Sequence, residues 1–348
     1  MIGANLLTAT ASSTALSDAY LALAGGVASP YVQVYVWNGP TFTGPLSGPA
    51  TPPAGSGRGV AFTSTAGAIA VAQSSTPFIS AYSFSSAGFG SKASNPGTTP
   101  TATLGNAVTF SPSNNAVVLG HESSSGPYVT AYAWSGFFGS KYSNPTSFLP
   151  GGVQGVAFAP SGNQIAMAHS VSPRVSAYAW TSGSGFGTKA SNPSTLPTGT
   201  GNSVAFRPGG NAVAVAHDTS PYVSVYPWSG AFGTKYANPS TLPTGNGNDV
   251  KFSPSGDAIA VAHDNSPYIS VYAWSSGFGT KYADPTTLPA SGGRSVAFHP
   301  SGEAIVIGQG NSPFLVAYPW SSVDGFGTKY SNPTTPPTVG ADIAVVEK

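Results

Sequence analysis

Five histidines and eleven carboxylates are the groups in this sequence most able to bind a metal or move a proton. Four of the histidines, His121, His169, His217 and His263, stand 46 to 48 residues apart, each just before a short turn such as "HDNSPY". Gln73 and Gln309 take that place in two further copies and Gly25 in the first. An interrupted ring of imidazoles suggests a transition metal. Ligands on successive copies of a repeat would nevertheless stand too far apart to share one ion, and glutamine is a poor substitute ligand. A His or Gln hydrogen-bonded to the following turn suits every copy, since buried polar groups require partners.

The acids are Asp18, Glu122, Asp218, Asp249, Asp257, Asp264, Asp284, Glu303, Asp324, Asp342 and Glu347, spread thinly and mostly in turns. Asp218 and Asp264 share one turn position, but the other copies lack an Asp there. Glycoside hydrolysis needs converging carboxylates, and a calcium loop needs more ligands than any turn here offers. The expectation is therefore no catalytic residue, no metal and no cofactor, so not an enzyme. The positions left for a binding face are His121, His169, His217, His263, Asp218, Asp264 and Arg174, which replaces the aromatic after a repeated proline.

The elements that position these residues follow from the repeat. A proline recurs at Pro30, Pro77, Pro127, Pro173, Pro221, Pro267 and Pro313, in steps of 46 to 50 residues. Seven copies of that length fit blades of a propeller. In the sixth copy, "DVKFSPSG" reads as a strand and turn, "DAIAVAH" alternates as a strand should, "PYISVYAW" is a third strand, and "GTKYADP" a fourth. No stretch keeps a helical period. The fold expected is all-β: a single seven-bladed propeller over 1–348 with four antiparallel strands per blade. The approximate blades are 1–57 plus 343–348, 58–105, 106–154, 155–202, 203–248, 249–294 and 295–342. The C-terminal "GADIAVVEK" repeats the start of a copy and is expected to supply the innermost strand of the first blade. The segment "ANLLTATA" (4–11) competes for that place.

A tyrosine occurs in every third strand, and all six tryptophans follow two residues later, as in Tyr226, Trp228, Tyr272 and Trp274. Phe84 takes the Trp position in the second copy. Such a row can pack against the alanines of the neighbouring blade, large against small; an aromatic sugar-binding ring is the alternative. "GSGFGTK" (183–189) imitates a phosphate loop, but it falls in a hairpin where no helix follows. Its lysine recurs as Lys92, Lys141, Lys189, Lys235, Lys281 and Lys329, a charged outer edge of the kind that discourages edge-to-edge pairing.

Only 7% of the 348 residues are charged and the net charge is +1, which argues against nucleic acid or anionic lipid as a partner. Cysteine is absent, so disulfide and thiolate chemistry are excluded. No apolar run reaches the roughly 18 residues of a membrane-spanning helix. The opening residues carry no basic segment, so no secretory signal is expected.

The units "VAFSPSG", "AIAVAH" and a third strand ending in Trp resemble WD40-type repeats over nearly the whole chain. The Gly-His pair is missing and "YAWS" replaces Trp-Asp, so that family's hydrogen-bond set does not carry over. The longer phrase "VAFSPSGDAIAVAHDNSPYISVYAWSSGFGTKYADPTTLP" resembles propeller repeats of tailed bacteriophages. That resemblance implies a virion structural protein, tail- or capsid-associated, assembled in the host cytoplasm and then exposed. Its partners would be other virion proteins or a host-surface glycan or receptor. The alternative is a lectin-like adhesin binding host glycans through repeated pockets on the blade tops.

Overall fold

The computed structural model describes residues 16–26, 29–338, 340 and 342–348. The segment 4–11 lies outside them. Among the described residues there is no helix, and the strands form seven separate antiparallel sheets arranged as a ring. Blade 6 shows the pattern: innermost strand Gly247–Phe252, second Ala258–His263, third Ile269–Trp274 and outer Phe278–Lys281. In blade 5 the outer strand shrinks to a single bridge between Trp228 and Phe232.

Closure is made by the C-terminal strand. Asp342–Glu347 pairs antiparallel with Ala19–Ala24, from Ala19 opposite Glu347 to Ala24 opposite Asp342. Lys348 Nζ adds an ion pair to Asp18 at 2.9 Å. The strand's unsatisfied edge is thereby removed without a covalent bond.

Alternation explains the blade-to-blade packing. Ala258, Ala260 and Ala262 point from blade 6 into one cluster with Tyr318 and Trp320 of blade 7. Tyr272 and Trp274 meet Ala212, Ala214 and Ala216 of blade 5 in the same way. Each Trp edge is then boxed by other rings; for Trp274 these are Tyr236, Phe252 and Phe278 at 5.1 to 5.4 Å, all edge-to-face. The buried phenols are not wasted polar groups. Tyr226 and Tyr272 donate to the carbonyls of Thr195 and Thr241, 31 residues back in the preceding connection.

Two backbone details aim side chains at the centre of the ring. The innermost strands of blades 2 to 7 each carry a β-bulge near their start. In blade 6, Gly247 faces His263 and Asp249 faces Ala262, so Asn248 is the extra residue and is turned out of the ladder. Just before it, Gly247 passes the preceding blade so closely that a Cβ would lie 2.3 Å from the Tyr222 carbonyl. A side chain at Gly247 would collide with that backbone. Blade 4 alone has a valine, Val153, at this position among the described blades, and Gly120 replaces the usual alanine beside it; a Cβ on Gly120 would be 2.4 Å from Val153 Cγ1.

Candidate functional site at the channel mouth

The repeated histidines do not face the channel. His121, His169, His217 and His263 are completely buried at the end of the second strands. Each ring uses both nitrogens. In His217, Nδ1 lies 2.7 Å from the Thr219 carbonyl and Nε2 3.0 Å from Ser224 Oγ. A carbonyl can only accept, so Nδ1 carries the proton and Nε2 accepts from the serine. The same pair of contacts recurs in His169 with Val171 and Ser176, and in His263 with Asn265 and Ser270. Burial pushes all four imidazoles down to about 4, so they are neutral at pH 7. No ring lone pair remains for a metal.

The copies without histidine solve the same problem with other atoms. Gln73 donates to the Ser75 carbonyl and accepts from Ser80 Oγ. In blade 1 the long side chain crosses to the facing strand: Gly25 stands in the histidine place, and Gln33, in the serine place, accepts from Thr338 N at 2.8 Å. In blade 7 Val316 replaces the serine, and the Gln309 amide nitrogen is left buried without a partner.

The bulged residues form the true polar ring. Arg58, Asn106, Gln154, Asn202, Asn248 and Arg294 line a central cavity of about 660 Å³ to which every blade contributes. Their amides tie neighbouring blades together. Asn106, Asn202 and Asn248 donate to the carbonyls of Val153, Gly247 and Gly293, each the residue just before the next blade's bulge. Arg58 Nε donates to Asn106 Oδ1 at 3.0 Å.

Below this ring three charged side chains converge. Asp249 and Asp342 occupy one repeat position, which holds Gly59, Ala107, Gly155, Ser203 and Ser295 in the other blades. Each reaches the next blade: Asp249 Oδ2 accepts from Val296 N at 3.0 Å and Asp342 Oδ2 from Val60 N at 2.9 Å. Lys251 Nζ lies 2.7 Å from Asp249 Oδ1, which also accepts from Ser203 Oγ. Burial, reinforced by the Asp249 charge and opposed by Lys251, pushes the Asp342 carboxyl up to about 6. Burial alone would lower the Lys251 ammonium, but the two carboxylates outweigh it and hold it raised. The result is a carboxylate titrating near neutrality beside a fixed ammonium, the pairing that proton-transfer chemistry uses. The acids were expected not to converge, and this cluster corrects that. Its trace in the sequence is the replacement of small residues by charges on two innermost strands.

The remaining candidates are local. Asp218 accepts from Thr200 N at 2.8 Å, and Arg174 donates to the Ser170 carbonyl. Asp264 accepts from Asn248 Nδ2 at 2.7 Å, and Glu122 from Gln154 Nε2 at 2.6 Å, so these two acids orient ring amides. The repeated lysines cap their own loops, as Lys141 does with Asn144 and Lys329 with Asn332. The loop-like "GSGFGTK" ends in the outer strand Gly185–Lys189.

No protein-family model and no curated protein matches the chain. Solved structures do. A "putative 6-phosphogluconolactonase" of Bacteroides uniformis is similar with a TM-score of 0.74 at 14% identity, over 95% of this chain and 100% of that one. The periplasmic gluconolactonase of Pseudomonas aeruginosa is similar with a TM-score of 0.72 at 15% identity, over 94% and 99%. A functionally unknown protein of Desulfotomaculum acetoxidans follows at 0.63 and 14%, over 95% and 99%. At such identities the likeness establishes the propeller fold.

These neighbours correct several expectations. The assignment as a tail- or capsid-associated virion structural protein, with a glycan-binding adhesin as alternative, is overturned: the similar propellers named above come from bacteria, and two of them bear lactonase names. The expectation of a non-enzyme falls with it, and so does a virion location, since one neighbour is periplasmic. Nothing in the comparisons points to a phage origin or to the WD40 family. The physical reason is plain. The phrase that carried the phage resemblance encodes ring packing, alanine against tyrosine and tryptophan, and such packing is indifferent to what the channel does.

Proposed function

We propose that the chain is a lactonase-type hydrolase acting on a small polyhydroxylated lactone held at the channel mouth. The convergence of Asp249, Lys251 and Asp342 inside the channel carries this reading. The lactonase names of two structural neighbours support it. Asp342, ionised at pH 7, takes a proton from a water molecule as its oxygen attacks the lactone carbonyl carbon. The Lys251 ammonium stabilises the charge that develops on the carbonyl oxygen. When the ring C–O bond breaks, the departing alkoxide takes the proton back from Asp342, leaving the open hydroxy acid. The ring amides Asn106, Gln154, Asn202 and Asn248 offer hydrogen-bonding groups to the ligand's hydroxyls.

Hydrolysis of δ-gluconolactone, followed by pH-stat against the spontaneous rate, tests the reading. Asp342→Asn and Lys251→Met should each return the rate to background. The wild-type rate should rise with pH through about 6 as Asp342 ionises. Hydrolysis that survives both substitutions would sink the assignment.

A further inference from the structure

We propose that the channel mouth is electrically divided, and that Arg58 and Arg294 form a subsite for a phosphoryl group on the sugar ligand. The bulge position holds an uncharged amide in blades 3 to 6 and a guanidinium in blades 2 and 7, the two blades that flank Asp342 in the ring. Two of the chain's four arginines therefore stand at one structural position, in a protein with only 7% charged residues. Both side chains are exposed to the cavity.

The residue just after the repeated His or Gln shows the complementary pattern. It is acidic in blades 3, 5 and 6, as Glu122, Asp218 and Asp264, but it is Ser74 in blade 2, Ser170 in blade 4 and Gly310 in blade 7. Three of the four amide blades thus carry a carboxylate at this place, Gln154 of the fourth reaches Glu122 of blade 3, and neither arginine blade carries one. Among the described residues, no carboxylate lies within ion-pair distance of either guanidinium. Arg58 is held by its Nε bond to Asn106, which leaves its terminal nitrogens available in a planar fork. Arg294 lies over Gly310, its Nε 3.4 Å from where a Cβ would stand. A side chain at 310 would crowd it.

Unneutralised guanidinium groups on a cavity rim match a phosphoryl dianion in charge and in fork geometry. Deeper in the cavity, Asp249 and Asp342 repel a second anion, so the uncharged end of the ligand enters first. Only the identity of that end rests on the lactone reading; the subsite itself rests on the arginines.

Calorimetric titration of the whole chain with 6-phosphogluconate, gluconate and inorganic phosphate separates the possibilities. The phosphorylated acid should bind at least about tenfold more tightly than gluconate, because the added hydrogen bonds are charge-assisted. That preference should shrink as salt rises from about 0.05 to 0.3 M, since rim charges are screened. The double variant Arg58→Gln/Arg294→Gln should abolish the preference while gluconate binding persists, and Lys92→Gln on the outer edge should leave it intact. Inorganic phosphate should bind weakly and compete with the phosphorylated acid. Equal affinity for the two sugar acids, or a preference that survives the double variant, would overturn the subsite. A phosphoryl preference without any lactone hydrolysis would keep the subsite and remove the lactone reading. Hydrolysis without the preference would do the reverse.

Discussion

Acidification should unfold this protein through its buried histidines, and their number makes the effect large. In the unfolded chain a histidine titrates near 6.5, whereas burial holds His121, His169, His217 and His263 at about 4. Between those values the unfolded chain binds more protons, so stability is full above about 6.5 and falls as pH drops toward 4. From pH 7 to pH 5 each histidine costs about 2 kcal/mol, and the four together about 7 kcal/mol. Asp342, raised to about 6, works in the opposite direction and returns about 1 kcal/mol over the same interval. The remainder is comparable to the whole stability of an ordinary domain, about 5 to 15 kcal/mol. Urea midpoints at pH 7, 6 and 5 measure it. The control is the fourfold His→Gln variant, because Gln73 already makes both bonds of the slot with Ser75 and Ser80. That variant should lose little stability over the range. A wild-type protein no more acid-sensitive than the variant would refute the reasoning.

Other perturbations probe single contacts. Gly120→Ala should destabilise by about 1 to 3 kcal/mol through collision with Val153, and Val153→Gly in the same chain should recover most of it, as thermal melts of the double-mutant cycle would reveal. Val316→Thr should supply the acceptor that the Gln309 amide lacks and raise the urea midpoint by an amount equivalent to about 1 kcal/mol. Removing Ile343–Lys348 should lower the melting temperature by several degrees, roughly the response to losing a few kcal/mol. An unchanged melt would contradict closure by this strand.

What could be read in the sequence was whatever the repeat states seven times. The Tyr–Trp row, the Ala-rich second strands and the closing "GADIAVVEK" follow from periodicity alone, because every blade must solve one packing problem. The histidine slot was legible as a position, but its meaning needed the carbonyl at Nδ1 and the hydroxyl at Nε2. The channel cluster was hidden for the opposite reason. Asp249, Lys251 and Asp342 are departures from the repeat, and Asp342 lies on the strand that joins blade 1 only when the ring shuts. The ring residues were missed because a bulge, not alternation, turns them inward; the cue was one polar residue at the start of the innermost strand in blades 2 to 7.

Closure by the last strand also sets an order of events during synthesis. The strand Ala19–Ala24 is among the first described residues to emerge, yet its inner partner, Asp342–Glu347, is made more than 300 residues later. Until then its inner backbone edge has no native neighbour, while blades 2 to 7 can each form from contiguous chain. The same late strand carries Asp342. A nascent chain therefore cannot acquire the proposed general base before it acquires a closed ring, and any activity that depends on Asp342 reports completed folding.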